Sequence, residues 1–303
     1  MKPSEILNQS QLDELRRKND FINIFSILSN WFQIFLSMYL YFLFPSAVLF
    51  IFCLIVVGSR QFALAVLMHE ASHNLLFKNR KLNDFISQWF CAYPIFSDTT
   101  PYRPYHLAHH RFTETKNDPD LSLSAPFPIT KVSLVRKILR DITGLTGLRR
   151  YGIAFKSIFR TEAETPFRRI ILIVKKLRGF IITNSLLLIF VSTSMHWSIF
   201  FLLWWVPAFT YYSLIVRIRN IAEHAVTPGE NDFNNTRTTK ASLLVRYLMV
   251  PHHVNYHLEH HLFTRCPWYN LPKAHEMLKE NGFSDKMCVE NSYFSVLKKA
   301  TSG

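Results

Sequence analysis

Glycine is scarce, at 8 of 303 residues, and no G-x-G-x-x-G run is present, so the chain carries no fingerprint for a flavin or nicotinamide fold. The four cysteines, Cys53, Cys91, Cys266 and Cys288, are widely separated and form no CxxC pair. That spacing argues against a disulfide framework, a zinc ribbon and a four-cysteine iron–sulfur cluster. There is no paired-histidine haem module and no nucleic-acid-binding module. Internal repeats, low-complexity tracts and a convincing domain boundary are also absent, so residues 1–303 read as one domain. The first twenty residues are polar and charged, and no cleavable signal peptide is expected before the first apolar run.

What is abundant is apolar. Hydrophobic residues make up 49% of the chain and Phe alone numbers 27, which points to a helical membrane protein. Residues 21–44 carry no charge and are long enough to cross about 30 Å of hydrocarbon as a helix. A second run, 46–68, follows after little more than Pro45, so the two read as a tight hairpin. Arg60 interrupts it and either snorkels to a headgroup or faces the bundle interior. A second hairpin is readable over 180–196 and 199–216, with Pro207 expected to kink its last span. The stretch from Phe85 to Phe96 is too short to span and is expected at the interface or beneath the soluble part.

The turns near Pro45 and Trp197 hold no Lys or Arg, whereas the N-terminus, 71–178 and the tail from Arg217 hold every basic residue except Arg60. The positive-inside rule then places both termini and the large middle segment in the cytoplasm. The net charge of +14 has a matching explanation: Arg149, Arg150, Arg168, Arg169, Lys175, Lys176 and Arg178 meet anionic headgroups. Residues 117–135 and 225–240 are loop-rich, with turn signals at Asn117-Asp118-Pro119-Asp120 and Thr227-Pro228-Gly229.

Eight histidines fall into three short boxes: His69 and His73 in HEASH, His106, His109 and His110 in HLAHH, and His257, His260 and His261 in HLEHH. Residues three and four apart share a helix face, so each box is expected to aim two or three imidazoles at one point. A catalytic zinc site uses three protein ligands; eight imidazoles suit more than one ion. HExxH alone would suggest a zinc protease with Glu70 as general base, but that reading explains neither HxxHH. A single HxxHH is commonly a solvated face; two copies, each after a Tyr, are not. Asn220 and His224 form an NxxxH pair at the end of an apolar stretch, readable as a helix cap or as further ligands. A membrane metal transporter is the rival from another class, but its ligands would lie within the bilayer, and these boxes lie at or beyond its cytoplasmic edge.

In this order, HEASH, HLAHH, NIAEH and HLEHH, with spans before the first box and between the second and third, the chain resembles the membrane fatty acid desaturase superfamily. The likeness runs from the first span to His275. It implies an all-α integral membrane fold: four transmembrane helices in two hairpins, with a helical cytoplasmic cap carrying a di-metal site. It implies two iron ions held by His69, His73, His106, His109, His110, His257, His260 and His261, with His224 as a further ligand and Asn220 acting through water. O2 is the implied co-substrate and an acyl chain attached to a lipid the implied substrate. HxxxH followed by Asn74 resembles acyl-lipid and sphingolipid members more than the stearoyl-CoA type. The same ligand set serves a hydroxylase of a lipid, carotenoid or other hydrophobic molecule.

Electrons are expected from a separate ferredoxin or cytochrome b5 drawn to the basic cytoplasmic face. The membrane is either a bacterial inner membrane or the endoplasmic reticulum, and the lack of a fused donor favours the former. Glu70, Glu223, Glu259, Asp118 and Asp120 are candidates to orient the ligands. His252, His253 and His275 are expected to be surface or structural.

Overall fold

The structure, a computed structural model, describes residues 2–229 and 231–302. Asn8 opens α1 (Gln9–Leu15) with a reciprocal capping box, accepting from the Gln11 N–H while the Gln11 side chain accepts from its own. Such a cap satisfies two orphan donors at once. Asn19 then caps α2 (Asp20–Leu43), and Pro45 ends it by disfavouring helical geometry at Phe44. Ser46 caps α3 (Ala47–Ser72). The first hairpin therefore stands as expected, except that α3 continues beyond Met68 and carries most of the first box.

The facing surfaces of this hairpin are not uniformly apolar. Asn23, Ser26, Asn30 and Ser37 are buried along one side of α2. Arg60 turns inward: its guanidinium donates to Ser59 Oγ at 2.8 Å and to the Tyr247 carbonyl, and lies 4.4 Å from the Tyr247 ring centroid. Of the two expectations for Arg60, the interior one holds.

Next come α4 (Arg80–Ile86), a π-helical segment Ser87–Ala92 and a 3-10 turn Tyr93–Ile95. Cys91, Ala92 and Ile95 join the core of the first hairpin, so the short apolar stretch packs against the bundle. Asp98 caps α5 (Thr99–Phe112), followed by α6 (Leu121–Ser124), α7 (Lys131–Ile142) and α8 (Leu145–Phe159). Gly144, at φ 82°, makes the corner between α7 and α8 and supplies a left-handed conformation that only glycine adopts freely.

The second hairpin differs from expectation at both ends. α9 (Pro166–Ser194) begins at Pro166 rather than near 180, because Arg and Lys are good helix formers and extend the apolar half on its basic side. The return strand of the hairpin is α10 (Trp197–Phe200), a π-helical segment Phe201–Trp205, α11 (Val206–Phe209) and α12 (Tyr211–His224). Pro207 lacks an N–H and disturbs the ladder, and Gln61 of α3 donates to the Trp204 carbonyl at 2.7 Å. Among the described residues, three helical stretches are long and apolar enough to cross a membrane: Gln9–Leu43, Ala47–Ser72 and Trp197–His224.

The C-terminal segment, the cap of the expected fold, comprises β1 (Thr238–Thr239), α13 (Leu243–Leu248), α14 (His257–Leu262), α15 (Leu271–Glu280), β2 (Val289–Glu290) and α16 (Tyr293–Lys299). β1 and β2 pair in parallel, a small departure from an all-helical reading. Leu12 and Leu15 of α1 pack with Leu258, Leu262, Leu271 and Leu278, each burial contributing about 1.5–3 kcal/mol. The N-terminal helix is thereby part of the cap.

Candidate metal centre

Four helix segments converge where the bundle meets the cap. α3 and its C-cap bring His69 and His73, α5 brings His106, His109 and His110, the end of α12 brings His224, and α14 brings His257, His260 and His261. Nine imidazoles form two groups: His69, His73, His106, His110 and His260 in one, and His109, His224, His257 and His261 in the other. The groups abut, with the His110 and His261 rings 4.2 Å apart.

The first box keeps to one group, but both HxxHH boxes depart from the expectation that each box aims at one point. Successive helical residues point about 100° apart, so the adjacent pair inside HxxHH diverges. His106 and His110 serve one group and His109 the other; His257 and His261 serve one and His260 the other. Each HxxHH therefore spans both groups.

The nitrogen positions test whether metal ions fit. Nε2 atoms lie 2.9 Å apart for His73 and His106, 2.9 Å for His106 and His110, and 3.0 Å for His110 and His260. In the second group the separations are 2.9 Å for His224 and His257 and 3.1 Å for His257 and His261. At a metal–nitrogen distance of about 2.1 Å, neighbouring ligands at right angles lie about 3.0 Å apart and tetrahedral ones about 3.4 Å. The separations are those of nitrogens that share one ion. Hydrogen bonding does not account for it. A neutral imidazole nitrogen offers one proton or one lone pair, yet His106 Nε2 meets two others of its kind. Among the described residues, the buried His69 Nε2 meets no hydrogen-bond partner. All ligand atoms within a group lie within 4.8 Å of one another, which admits one central ion in each.

Burial reinforces this chemistry by keeping the rings neutral. It pushes His106, His110, His257, His260 and His261 well below the usual histidine range and His73 down to about 4. A neutral ring is the ligating form.

The orienting carboxylates fall into place unevenly. Asp118, buried, accepts from His109 Nδ1 at 2.8 Å and from the backbone N–H groups of Glu114 and Asp120, fixing the lone pair of His109 on Nε2. Glu70 accepts the Trp268 backbone N–H at 3.0 Å, with His69 Nδ1 3.8 Å away. Glu223 accepts from Arg219 Nε at 2.5 Å and lies 3.5 Å from His257 Nε2. Glu259 faces away from the imidazoles and accepts from Thr238 and, at 2.5 Å, from His275 Nδ1. It ties α14 to α15 and β1.

Sequence reasoning missed Glu114, whose Oε1 sits 3.5 Å from His224 Nδ1 and whose acidity is weakened by burial. It lies on the loop after α5 at φ 57°, where no helical period exposes the relationship. Asn220 lies on α12 four residues before His224. It lines a cavity of about 40 Å³ together with Tyr102, His109, Glu114, Glu223 and His224, large enough for water. His252 and His253 stay outside the groups. His252 is half-buried between Asn30, 3.1 Å away, and the Trp268 ring, and desolvation pushes it down to about 3.

Residues 45–287, which include every histidine in the two groups, match the fatty acid desaturase family. The chain belongs to this family. It is therefore an oxidoreductase, and the family's use of iron agrees with two histidine groups able to hold metal ions. Among curated relatives, dihydrorhizobitoxine desaturase of Bradyrhizobium elkanii is 29% identical over 80% of this chain and 70% of its own length. The chloroplastic omega-6 fatty acid desaturase of Spinacia oleracea is 21% identical over 71% of this chain and 50% of its own. Zeaxanthin 4-ketolase of Chlamydomonas reinhardtii is 24% identical over 71% of this chain and 42% of its own. The chain thus spans half or less of the length of the last two relatives.

Proposed function

We propose that the protein is an O2-dependent di-iron desaturase that introduces a double bond into the hydrocarbon chain of a membrane lipid. The observation that carries this reading is the position of two abutting imidazole groups at the ends of α3 and α12, both on membrane-span candidates. Within this proposal His69, His73, His106, His110 and His260 hold one iron, and His109, His224, His257 and His261 hold the other, with Asn220 contributing through a water in the 40 Å³ cavity. The ions, when bound and reduced, supply O2 activation and hydrogen removal from an unactivated methylene. The chain's own part is to keep the nine imidazoles aimed. Asp118 holds a proton on His109 Nδ1, and the burial of His69, His106, His109, His257 and His260 limits their contact with bulk water.

Placement in the membrane follows from the same reading. The apolar half of α9, from Phe180 onward, is the fourth crossing, paired with α10–α12 across a turn that carries no Lys or Arg. Both termini, the cap and every box then face the cytoplasm. The electron donor is a separate ferredoxin or cytochrome b5 docking on that face.

A second reading, hydroxylation or further oxidation of a hydrophobic substrate, is favoured by the similarity to a ketolase. Mass-spectrometric lipid profiling of a host expressing the chain, beside one expressing His106→Ala, separates the two. A product lighter by two hydrogens and absent with the variant supports desaturation. A product heavier by one oxygen assigns hydroxylation. An unchanged lipid pool in cells supplied with a donor removes the lipid substrate from the proposal.

A further inference from the structure

Residues 131–178 contain thirteen Lys and Arg against three acidic residues, so most of the net charge of +14 is concentrated there. α7 shows how this charge is arranged. Val132, Val135, Leu139 and Ile142 recur at helical spacing and are exposed, Val132 to 75%. At about 100° per residue they fall on one narrow stripe, with Lys131 along one edge and Arg136 and Arg140 along the other. α8 repeats the pattern: Leu145, Leu148 and Phe159 are exposed beside Arg149, Lys156 and Arg160. An apolar stripe edged by cations is the form taken by a helix lying in a headgroup layer. The surface continues into the exposed Phe167, Ile170, Ile171 and Val174 of α9.

The opposite faces of α7 and α8 are bolted to the helix that leads to the metal centre. Leu134 packs with Ile215 and Val216. The fully buried Asp141 accepts from Arg217 of α12, at 2.9 Å for Nη2. Gly147 of α8 rests on the Phe209 backbone so closely that an added Cβ would meet it at 2.4 Å. The Arg150 guanidinium lies 4.7 Å from the Tyr212 ring centroid.

We propose that α7 and α8 form a docking surface for anionic phospholipid, lying in the headgroup layer and clamping α12, the helix that ends in Asn220 and His224. The inference rests on the membrane placement of the chain and not on its reaction, so it stands or falls separately from the desaturase reading.

The test uses the full chain in nanodiscs of phosphatidylcholine alone or mixed with phosphatidylglycerol. Cys53, Cys91 and Cys266 are buried and Cys288 is half-buried, so single spin labels are introduced on a Cys288→Ser background at Val135→Cys, Leu139→Cys and Glu276→Cys. Labels at 135 and 139 are expected to collide with lipid-soluble O2 in preference to an aqueous nickel chelate, with the reverse at 276. Phosphatidylglycerol retained on the purified protein should fall roughly fivefold for each cation removed in Arg136→Gln, Arg140→Gln and Arg149→Gln. In the unmodified protein about 1 M salt, which shortens the screening length to about 3 Å, should abolish the enrichment. Labels at 135 and 139 as aqueous as the one at 276 overturn the proposal, as does enrichment indifferent to both charge removal and salt. Aqueous labels that become shielded only on addition of an acidic electron carrier assign the face to a protein partner and overturn it equally.

Discussion

Asp118→Asn is the sharpest probe of the two-group geometry. The substitution keeps size and removes charge. Asp118 Oδ1 accepts from His109 Nδ1 and the Asp120 N–H, and Oδ2 accepts from the Glu114 N–H, all at 2.8 Å. An amide retains one oxygen, so its NH2 must face at least one of these donors. Leaving a buried donor unpaired costs about 1–3 kcal/mol. Loss of an orienting partner typically lowers metal affinity ten- to hundredfold, or about 1.4–2.7 kcal/mol. Only the four-imidazole group contains His109, so only its ion should be weakened. Protein loaded with two irons is dialysed against graded chelator, and the iron remaining per chain is counted by inductively coupled plasma mass spectrometry. One ion should leave at ten- to hundredfold lower chelator activity than in the parent, while the second leaves unchanged and certifies the fold. Simultaneous loss of both ions, or retention of both at the parental level, would refute the division into two groups.

Other consequences are open to direct measurement. His252→Ala should retain both irons, since that ring packs on Asn30 and Trp268 and not on the groups; iron below one per chain contradicts this. His275→Ala leaves the buried Glu259 with Thr238 alone, which should cost about 3 kcal/mol and lower the melting temperature without changing iron stoichiometry. Gly147→Ala forces α8 off the Phe209 backbone and should destabilise by about 1–3 kcal/mol, visible as a lower melting temperature in detergent. Acid should weaken the metal-free protein in a defined window. His252 and His253 are held down to about 3 and about 4 against an ordinary value near 6.5. The unfolded chain therefore binds protons first as pH falls, and stability drops from about pH 6.5 to about pH 3. A flat melting temperature across that interval would contradict burial of these rings.

Much of this arrangement is legible in the residues. The uncharged run after Asp20, the stop at Pro45 and the interruption at Pro207 are local signals, and the structure follows each. The histidine spacings identify which side chains meet, but not how they divide, because the division depends on how α5 and α14 cross, a tertiary property. The start of α9 at Pro166 was hidden because hydropathy marks where a helix turns basic and not where it begins. Docking of α1 on the cap, the Arg217–Asp141 pair and the Glu259–His275 tie link residues far apart in sequence, so no periodicity reveals them. Glu114 is a loop residue brought close to His224 by the turn that Asp118 organises.

Because α5 and α14 each contribute to both imidazole groups, neither group is a self-contained module. The rotation of α5 and α14 that turns His106, His110 and His260 toward the first group is the same rotation that turns His109, His257 and His261 toward the second. One crossing of two short helices thus sets the geometry of the whole centre.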